Sequence, residues 1–115
     1  MNWTDIWKRP FKKDDYGYIW ADDNVMTFSV DDLTEENDKW MQEFCGNIVA
    51  ALNGEECKKY EGIHIKDGCD IYQGETLIGS FRGWGFLRGA MKLTPEQAAS
   101  IQDEMIEYVM SKISK

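Results

Sequence analysis

Residues 79–92 read Gly-Ser-Phe-Arg-Gly-Trp-Gly-Phe-Leu-Arg-Gly-Ala-Met-Lys and connect a strand pattern to the last helix pattern of the chain. No acidic residue occurs between positions 76 and 95, although the protein carries a formal net charge of -8. The segment is therefore cationic within an acidic chain. Because Trp and Arg often dominate binding energies, we predict a partner-binding or ligand-binding site here, made of Arg82, Trp84, Phe86, Arg88 and Lys92.

The glycines of this stretch allow two interpretations. Gly83-x-Gly85-x-x-x-Gly89 has the glycine content of a phosphate-binding loop, but its third glycine comes one residue later than in the dinucleotide pattern. A P-loop would also need Gly-Lys followed by Ser or Thr, which the stretch lacks. We favour a strand that bends or bulges at its glycines, with a binding loop as the alternative.

Two amphipathic helices are predicted from local signals. Thr94-Pro-Glu-Gln97 is a capping box with Pro at the first helical position. The earlier helix, from Thr34 to Asn53, begins at a capping Thr and ends at Asn53-Gly54. Each has one apolar stripe at helical spacing. The stripes are Met41, Phe44, Cys45, Ile48, Val49 and Leu52 in the first helix, and Ala98, Ile101, Met105, Tyr108, Val109 and Ile113 in the second.

Strand patterns precede each helix. Residues 16–21 and 25–30 predict one hairpin, residues 63–66 and 69–73 predict a second, and residues 76–82 continue the second as a meander. The predicted fold is α+β, with an antiparallel sheet of four or five strands in ββα-βββα order and both helices packed on one face. Trp20, Phe81 and Trp84 are candidates for the opposite face, which is left to solvent or a partner.

The length of 115 residues predicts a single domain, 1–115, with an aromatic and basic N-terminal arm at 1–15. In the arm, Trp3, Trp7 and Phe11 alternate with basic residues, and Pro10 stops any helix. We expect the arm to pack back on the domain or on a second subunit. Aromatic groups on the arm and at Trp84 and Phe86 predict a homodimer.

No catalytic or metal-binding pattern is recognised. Cys45, Cys57 and Cys69 are spaced twelve apart and His64 is the only histidine, so we expect free thiols, no metal site and no cofactor. His64 lies between Ile63 and Ile65, which predicts a surface residue. The carboxylates that could act as paired acids occupy turn positions, where Asp bonds its own backbone. These are Asp22, Asp23, Asp31 and Asp32.

The acidic balance disfavours nucleic-acid binding, which depends on Lys and Arg at phosphates. No run of 18 apolar residues or signal-peptide pattern is found, so we expect no membrane span and a cytoplasmic location.

The run Arg82-Gly-Trp-Gly-Phe-Leu, followed by Leu93 and then Ala98-x-x-Ile101-Gln-Asp-Glu, resembles the C-terminal pattern of small uncharacterised bacterial phage or mobile-element proteins. The resemblance covers the last third of the chain and includes no catalytic motif. It implies an accessory role in a bacterial cytoplasm.

Three functions follow from these observations. The first is a non-enzymatic accessory protein that acts by protein–protein interaction through the segment from Arg82 to Lys92. The second is a small anionic-ligand-binding domain or enzyme, in which Arg82 and Arg88 hold the ligand and His64 is the acid or base. The third is an acidic inhibitor that mimics nucleic acid.

Overall fold

The computed structural model describes residues 2–21, 24–29, 34–67, 70–86 and 94–115. Three helices and six strands form within these ranges. They are α1 (Trp3–Ile6), β1 (Phe11–Lys13), β2 (Tyr18–Ala21), β3 (Asn24–Ser29), α2 (Glu35–Leu52), β4 (Ile63–Lys66), β5 (Asp70–Gln73), β6 (Thr76–Phe86) and α3 (Pro95–Ile113).

The strands form one antiparallel sheet in the order β1-β2-β3-β6-β5-β4. The α+β class and the antiparallel sheet are thus confirmed, but the sheet has six strands instead of four or five. The additional strand is β1, in which Phe11 pairs with Ala21 and Lys13 pairs with Ile19. The element order is accordingly three strands and a helix, twice, after the short α1. A three-residue strand directly after Pro10 is too short to show alternation, so the sequence pattern gave no signal for it.

The predicted helix boundaries are confirmed by their capping contacts. The Thr34 hydroxyl accepts a hydrogen bond from the Asn37 amide at 3.1 Å. In the capping box of α3, the Gln97 amide donates to the Thr94 hydroxyl at 3.2 Å, and the Thr94 amide donates to the Gln97 side chain at 3.0 Å. Gly54 has a φ of 74° after Asn53, the left-handed conformation that ends many helices.

The N-terminal arm packs on its own chain. Trp3, Trp7 and Phe11 are 6%, 0% and 2% exposed and belong to the core. The Arg9 side chain fixes the arm, because its Nε donates to the Leu52 carbonyl at 2.7 Å and its Nη2 donates to the Tyr108 hydroxyl at 3.3 Å. The expectation that the arm packs back on the domain is confirmed. These aromatic residues are therefore not available for the predicted dimer contact, which was expected to include either them or Trp84 and Phe86.

The core lies between one face of the sheet and the apolar stripes of α2 and α3. Phe11, Ile19, Ala21 and Ile71 are buried strand residues, and they share one cluster with the helix stripes. Phe81 is 2% exposed and belongs to this cluster, so its predicted position on the partner face is wrong. Within the described residues, no helix is long and apolar enough to cross a membrane.

Candidate functional site

The predicted site falls on the longest strand of the sheet. β6 runs from Thr76 to Phe86 between β3 and β5, and it contains Arg82, Trp84 and Phe86. Arg82 is paired with Thr27, and Phe86 is paired with Asn24. Arg88 and Lys92 lie outside the described residues. The part of the cationic segment that the structure describes is thus a strand in the middle of the sheet.

β6 is irregular at two places, as its glycines predicted. Opposite β3, the pairs Thr27–Arg82 and Val25–Gly85 leave β6 with one more residue than its partner. Opposite β5, the pairs Ile71–Gly79 and Tyr72–Leu77 again leave one extra residue on β6. Such bulges bend a strand and increase its twist. The interpretation of a bulged strand is confirmed for the residues up to Phe86.

Two exposed aromatic side chains on β2 form what we call the aromatic face. Tyr18 and Trp20 are 41% and 37% exposed, and their ring centroids lie 6.4 Å apart. They alternate with Ile19 and Ala21, which are completely buried, so they lie on the side of β2 away from the core. Trp20 was a sequence candidate for this face, and its exposure agrees with that prediction.

Asp14 organises the aromatic face through three hydrogen bonds. Its Oδ1 accepts from the amides of Tyr16 at 2.8 Å and Tyr18 at 3.1 Å, and its Oδ2 accepts from the Trp20 indole at 3.3 Å. Desolvation acts to raise the pKa of Asp14. The hydrogen bonds and the nearby Lys13 outweigh desolvation and hold this pKa below its ordinary value. The carboxylate is therefore the partner that fixes the orientation of the indole.

A groove beside the aromatic face carries positive charge, and we call it the basic groove. Its volume is about 500 Å³. The pairing of Lys12 with Trp20 across β1 and β2 brings the arm to this position. The described residues that line it are Lys8, Arg9, Pro10, Lys12 and Trp20.

His64, the acid or base of the enzyme alternative, has no catalytic partner among the described residues. His64 is half-buried rather than freely exposed, its ring stacks on Tyr72 with centroids 5.8 Å apart, and its Nδ1 lies 3.1 Å from the Gly62 carbonyl oxygen. Ser80 is buried, and its hydroxyl donates to the Asp70 carboxylate at 2.6 Å. No hydrogen bond links His64 to a hydroxyl, thiol or carboxylate of the described residues. The geometry thus provides no nucleophile–base pair there.

Cys45 is a free core thiol, as predicted from its position on the α2 stripe. Burial raises its pKa to about 12. Cys57 is also free and half-buried, and Cys69 lies outside the described residues. In the part of the chain that the structure describes, no group of three or more His, Cys, Asp or Glu residues could hold a metal ion.

Comparisons of the chain with protein-family models, curated proteins and solved structures find no match. The resemblance to phage or mobile-element proteins therefore stays a prediction. Functional inference for this chain depends on the geometry of the aromatic face and the basic groove.

Sequence reasoning did not find the basic groove. Lys8, Arg9 and Lys12 were visible as basic residues of an arm, but their proximity to Trp20 depends on the pairing of β1 with β2. A three-residue strand has no periodicity that could reveal this pairing. The available signal was the density of basic residues between positions 8 and 13 in an acidic chain.

Proposed function

We propose that this protein is a non-enzymatic accessory protein that acts by protein–protein interaction through its aromatic face. The observation that carries this proposal is the exposure of Tyr18 and Trp20 side by side on β2. Large aromatic side chains are enriched at the energetic centres of interfaces. A neighbouring carboxylate, Asp14, already holds the indole in place, so binding would cost little side-chain ordering.

The position of Arg82 supports the same surface. Arg82 pairs with Thr27, and Thr27 pairs with Tyr18, so the three residues form one row across β6, β3 and β2. We propose that the interaction surface continues from Arg82 along β6 to the predicted residue Trp84, and Phe86 stays a predicted member of the site. Arg88 and Lys92 follow in the same segment of the chain, and we keep them as proposed members of the site.

Capture of partners by the immobilised protein tests this function. The bait is exposed to a lysate of the native host, and captured proteins are quantified by mass spectrometry for the wild type and for Trp20→Ala and Trp84→Ala. Loss of a central aromatic anchor typically costs about 2 kcal/mol or more, which corresponds to roughly thirtyfold weaker binding. We expect a specific partner that is retained by the wild type and lost with Trp20→Ala.

The matched control is Leu77→Ala. Leu77 is 40% exposed, close to the 37% of Trp20, but it lies near the start of β6. It controls for the general loss of exposed apolar area. Equal capture by wild type, Trp20→Ala and Trp84→Ala would exclude the proposed surface.

We further propose a two-fold homodimer near 27 kDa (roughly twice the 13.4 kDa chain) as one form of this interaction. With the arm aromatics in the core, the contact would involve the aromatic face. Sedimentation at tens of micromolar tests it, and Trp20→Ala should shift the protein toward the monomer. A wild type that sediments only as a monomer would contradict the homodimer.

The phage or mobile-element resemblance and the cytoplasmic location complete the proposal, since an accessory role without catalysis fits both. The alternatives stay a small anionic-ligand-binding domain or enzyme that uses Arg82 and Arg88, and an acidic inhibitor that mimics nucleic acid.

A further inference from the structure

We propose that the basic groove binds an acidic peptide segment of a protein partner, with an apolar side chain of that segment packed against Trp20. This inference depends on the proposed function, because it names the chemistry of the partner that the aromatic face recognises. Four features of the groove carry it: its charge, the freedom of its lysines, the fixed position of its arginine, and its apolar wall.

The charge of the groove contrasts with that of the protein. Among the described residues that line it, Lys8, Arg9 and Lys12 are cationic and none is acidic, in a chain of net charge -8. Among the described residues, Asp14 is in contact with a lining residue, because its carboxylate accepts the Trp20 indole hydrogen bond. The Tyr16 and Tyr18 amides also donate to Asp14, so three donors point at this carboxylate and weaken its repulsion of an incoming anion.

The two lysines are free to take a ligand. Lys8 and Lys12 are exposed, and their ammonium groups make no hydrogen bond or ion pair with any described residue. Lys13 differs, because its Nζ donates to the Gln42 side chain at 3.0 Å. Lys8 and Lys12 therefore have hydrogen-bonding capacity that an incoming carboxylate could use.

Arg9 supplies a fixed positive charge. Its Nε donates to the Leu52 carbonyl at 2.7 Å, and its guanidinium carbon lies 5.8 Å from the centroid of the Trp3 ring. The guanidinium is held before any ligand arrives, so its contribution to binding carries little ordering cost.

The apolar wall and the acidic surroundings select the ligand class. Pro10 and Trp20 offer apolar surface that a simple anion would not use. A long nucleic-acid strand would extend past the groove and lie over the acidic surface of the protein, which would repel its phosphates. A short segment stays within the groove, and protein charges more than about 8 Å away from it are screened at physiological salt. A short acidic segment with one apolar side chain fits both conditions.

The test uses labelled peptides and fluorescence anisotropy at low salt. One short peptide has Glu and Asp around a single Phe, and its matched control has Gln and Asn at the acidic positions. A labelled oligothymidylate of similar length is the nucleic-acid probe. We expect the acidic peptide to bind about tenfold more tightly than the neutral one and to weaken as salt is added.

The decisive variant is Lys8→Glu/Lys12→Glu, with Lys59→Glu/Lys66→Glu as its control. Both double variants change the net charge equally. Lys59 and Lys66 are exposed, and they lie just before β4 and on β4 respectively. β4 is the sheet edge opposite β1, and five strand spacings place the two edges roughly 24 Å apart. We expect the groove variant to bind the acidic peptide at least about tenfold more weakly, and the control to stay within about twofold. Circular dichroism verifies that each variant is folded.

Several outcomes would overturn the inference. These are equal binding of the acidic and neutral peptides, an equal loss in the two double variants, and tighter binding of oligothymidylate than of the acidic peptide. The captured partner separates the two proposals. If Trp20→Ala abolishes capture and Lys8→Glu/Lys12→Glu does not, the inference fails and the proposed function stands. If none of Trp20→Ala, Trp84→Ala and Lys8→Glu/Lys12→Glu changes capture, both proposals fail.

Discussion

Asn53 pairs with the backbone of Phe11 as a neighbouring strand would. Its Oδ1 accepts from the Phe11 amide at 2.7 Å, and its Nδ2 donates to the Phe11 carbonyl at 3.0 Å. β1 is an edge strand of the sheet, and edge strands leave backbone groups open to pairing with other chains. The side chain that follows α2 thus closes this edge at the point where the arm joins the sheet.

The same helix repeats this contact at a second place. Asn47 accepts from the Lys58 amide at 2.6 Å through Oδ1 and donates to the Lys58 carbonyl at 2.8 Å through Nδ2. The Asn53 side chain holds the arm, and the Asn47 side chain holds the connector between α2 and β4. Two distant segments are therefore fixed to α2 through side-chain amides.

We expect Asn53→Ala to lower the free energy of unfolding by about 1–3 kcal/mol, because the part-buried amide and carbonyl of Phe11 lose their partners. Urea unfolding at neutral pH measures the change. Asn53→Asp is the matched variant: it keeps the acceptor but loses the donor, so it should also be destabilising. A change within about 0.5 kcal/mol for Asn53→Ala, the range of ordinary surface substitutions, would contradict a stabilising role for these two hydrogen bonds.

Arg9 is predicted to stabilise the same contact between the arm and the end of α2. Arg9→Ala removes a charge-assisted hydrogen bond to the last carbonyl of α2 and a positive charge at the helix C-terminus. We expect a loss of about 1–2 kcal/mol in unfolding free energy. Arg9→Lys keeps the charge without the planar group and should recover part of the loss. If Arg9→Ala and wild type melt together, Arg9 does not help to hold the arm.

Structural features that depend on neighbouring residues could be predicted from the sequence. Features that depend on the pairing of distant segments could not. Thr34, Thr94 and Gln97 define helix starts within three residues of themselves, and their contacts agree with prediction. β1 and the basic groove depend on the pairing of residues 11–13 with residues 19–21. The burial of Trp3, Trp7 and Phe11 was expected in outline because exposed aromatic residues on an arm would be costly. Their long-range contacts, such as that of Trp3 with Tyr108 and that of Phe11 with Asn53, could not be predicted from the sequence.

Cys45 and Cys57 should react with iodoacetamide at different rates. Burial raises the pKa of Cys45 to about 12, whereas a free thiol titrates near 8.5. At pH 8 the thiolate fraction of Cys45 is therefore lower by about a thousandfold than that of a free thiol. We expect alkylation at Cys57 and none at Cys45 in the folded protein, measured by peptide mass spectrometry. Modification of both in urea is the control, and equal native rates would contradict a core thiol at Cys45.

Asp14 links the aromatic face to pH. The pKa of its carboxyl is held below the ordinary value, so the folded state stabilises the charged carboxylate more than the unfolded chain does. This stabilisation is present above the unfolded pKa and is lost as the pH falls through the lower folded pKa. It is therefore complete at neutral pH and disappears only in acid.

We accordingly expect Asp14→Asn to lower the free energy of unfolding at pH 7 by about 1 kcal/mol, since one charged acceptor serves three donors at a partly exposed position. The difference from wild type should shrink as the pH falls below about 4. Asp15→Asn is the control, because it makes the same charge change at an exposed neighbour whose carboxylate accepts no hydrogen bond from a described residue. Urea unfolding across the acid range measures both variants. A difference for Asp14→Asn that stays constant with pH, or that Asp15→Asn reproduces, would show that Asp14 does not stabilise the aromatic face through its charge.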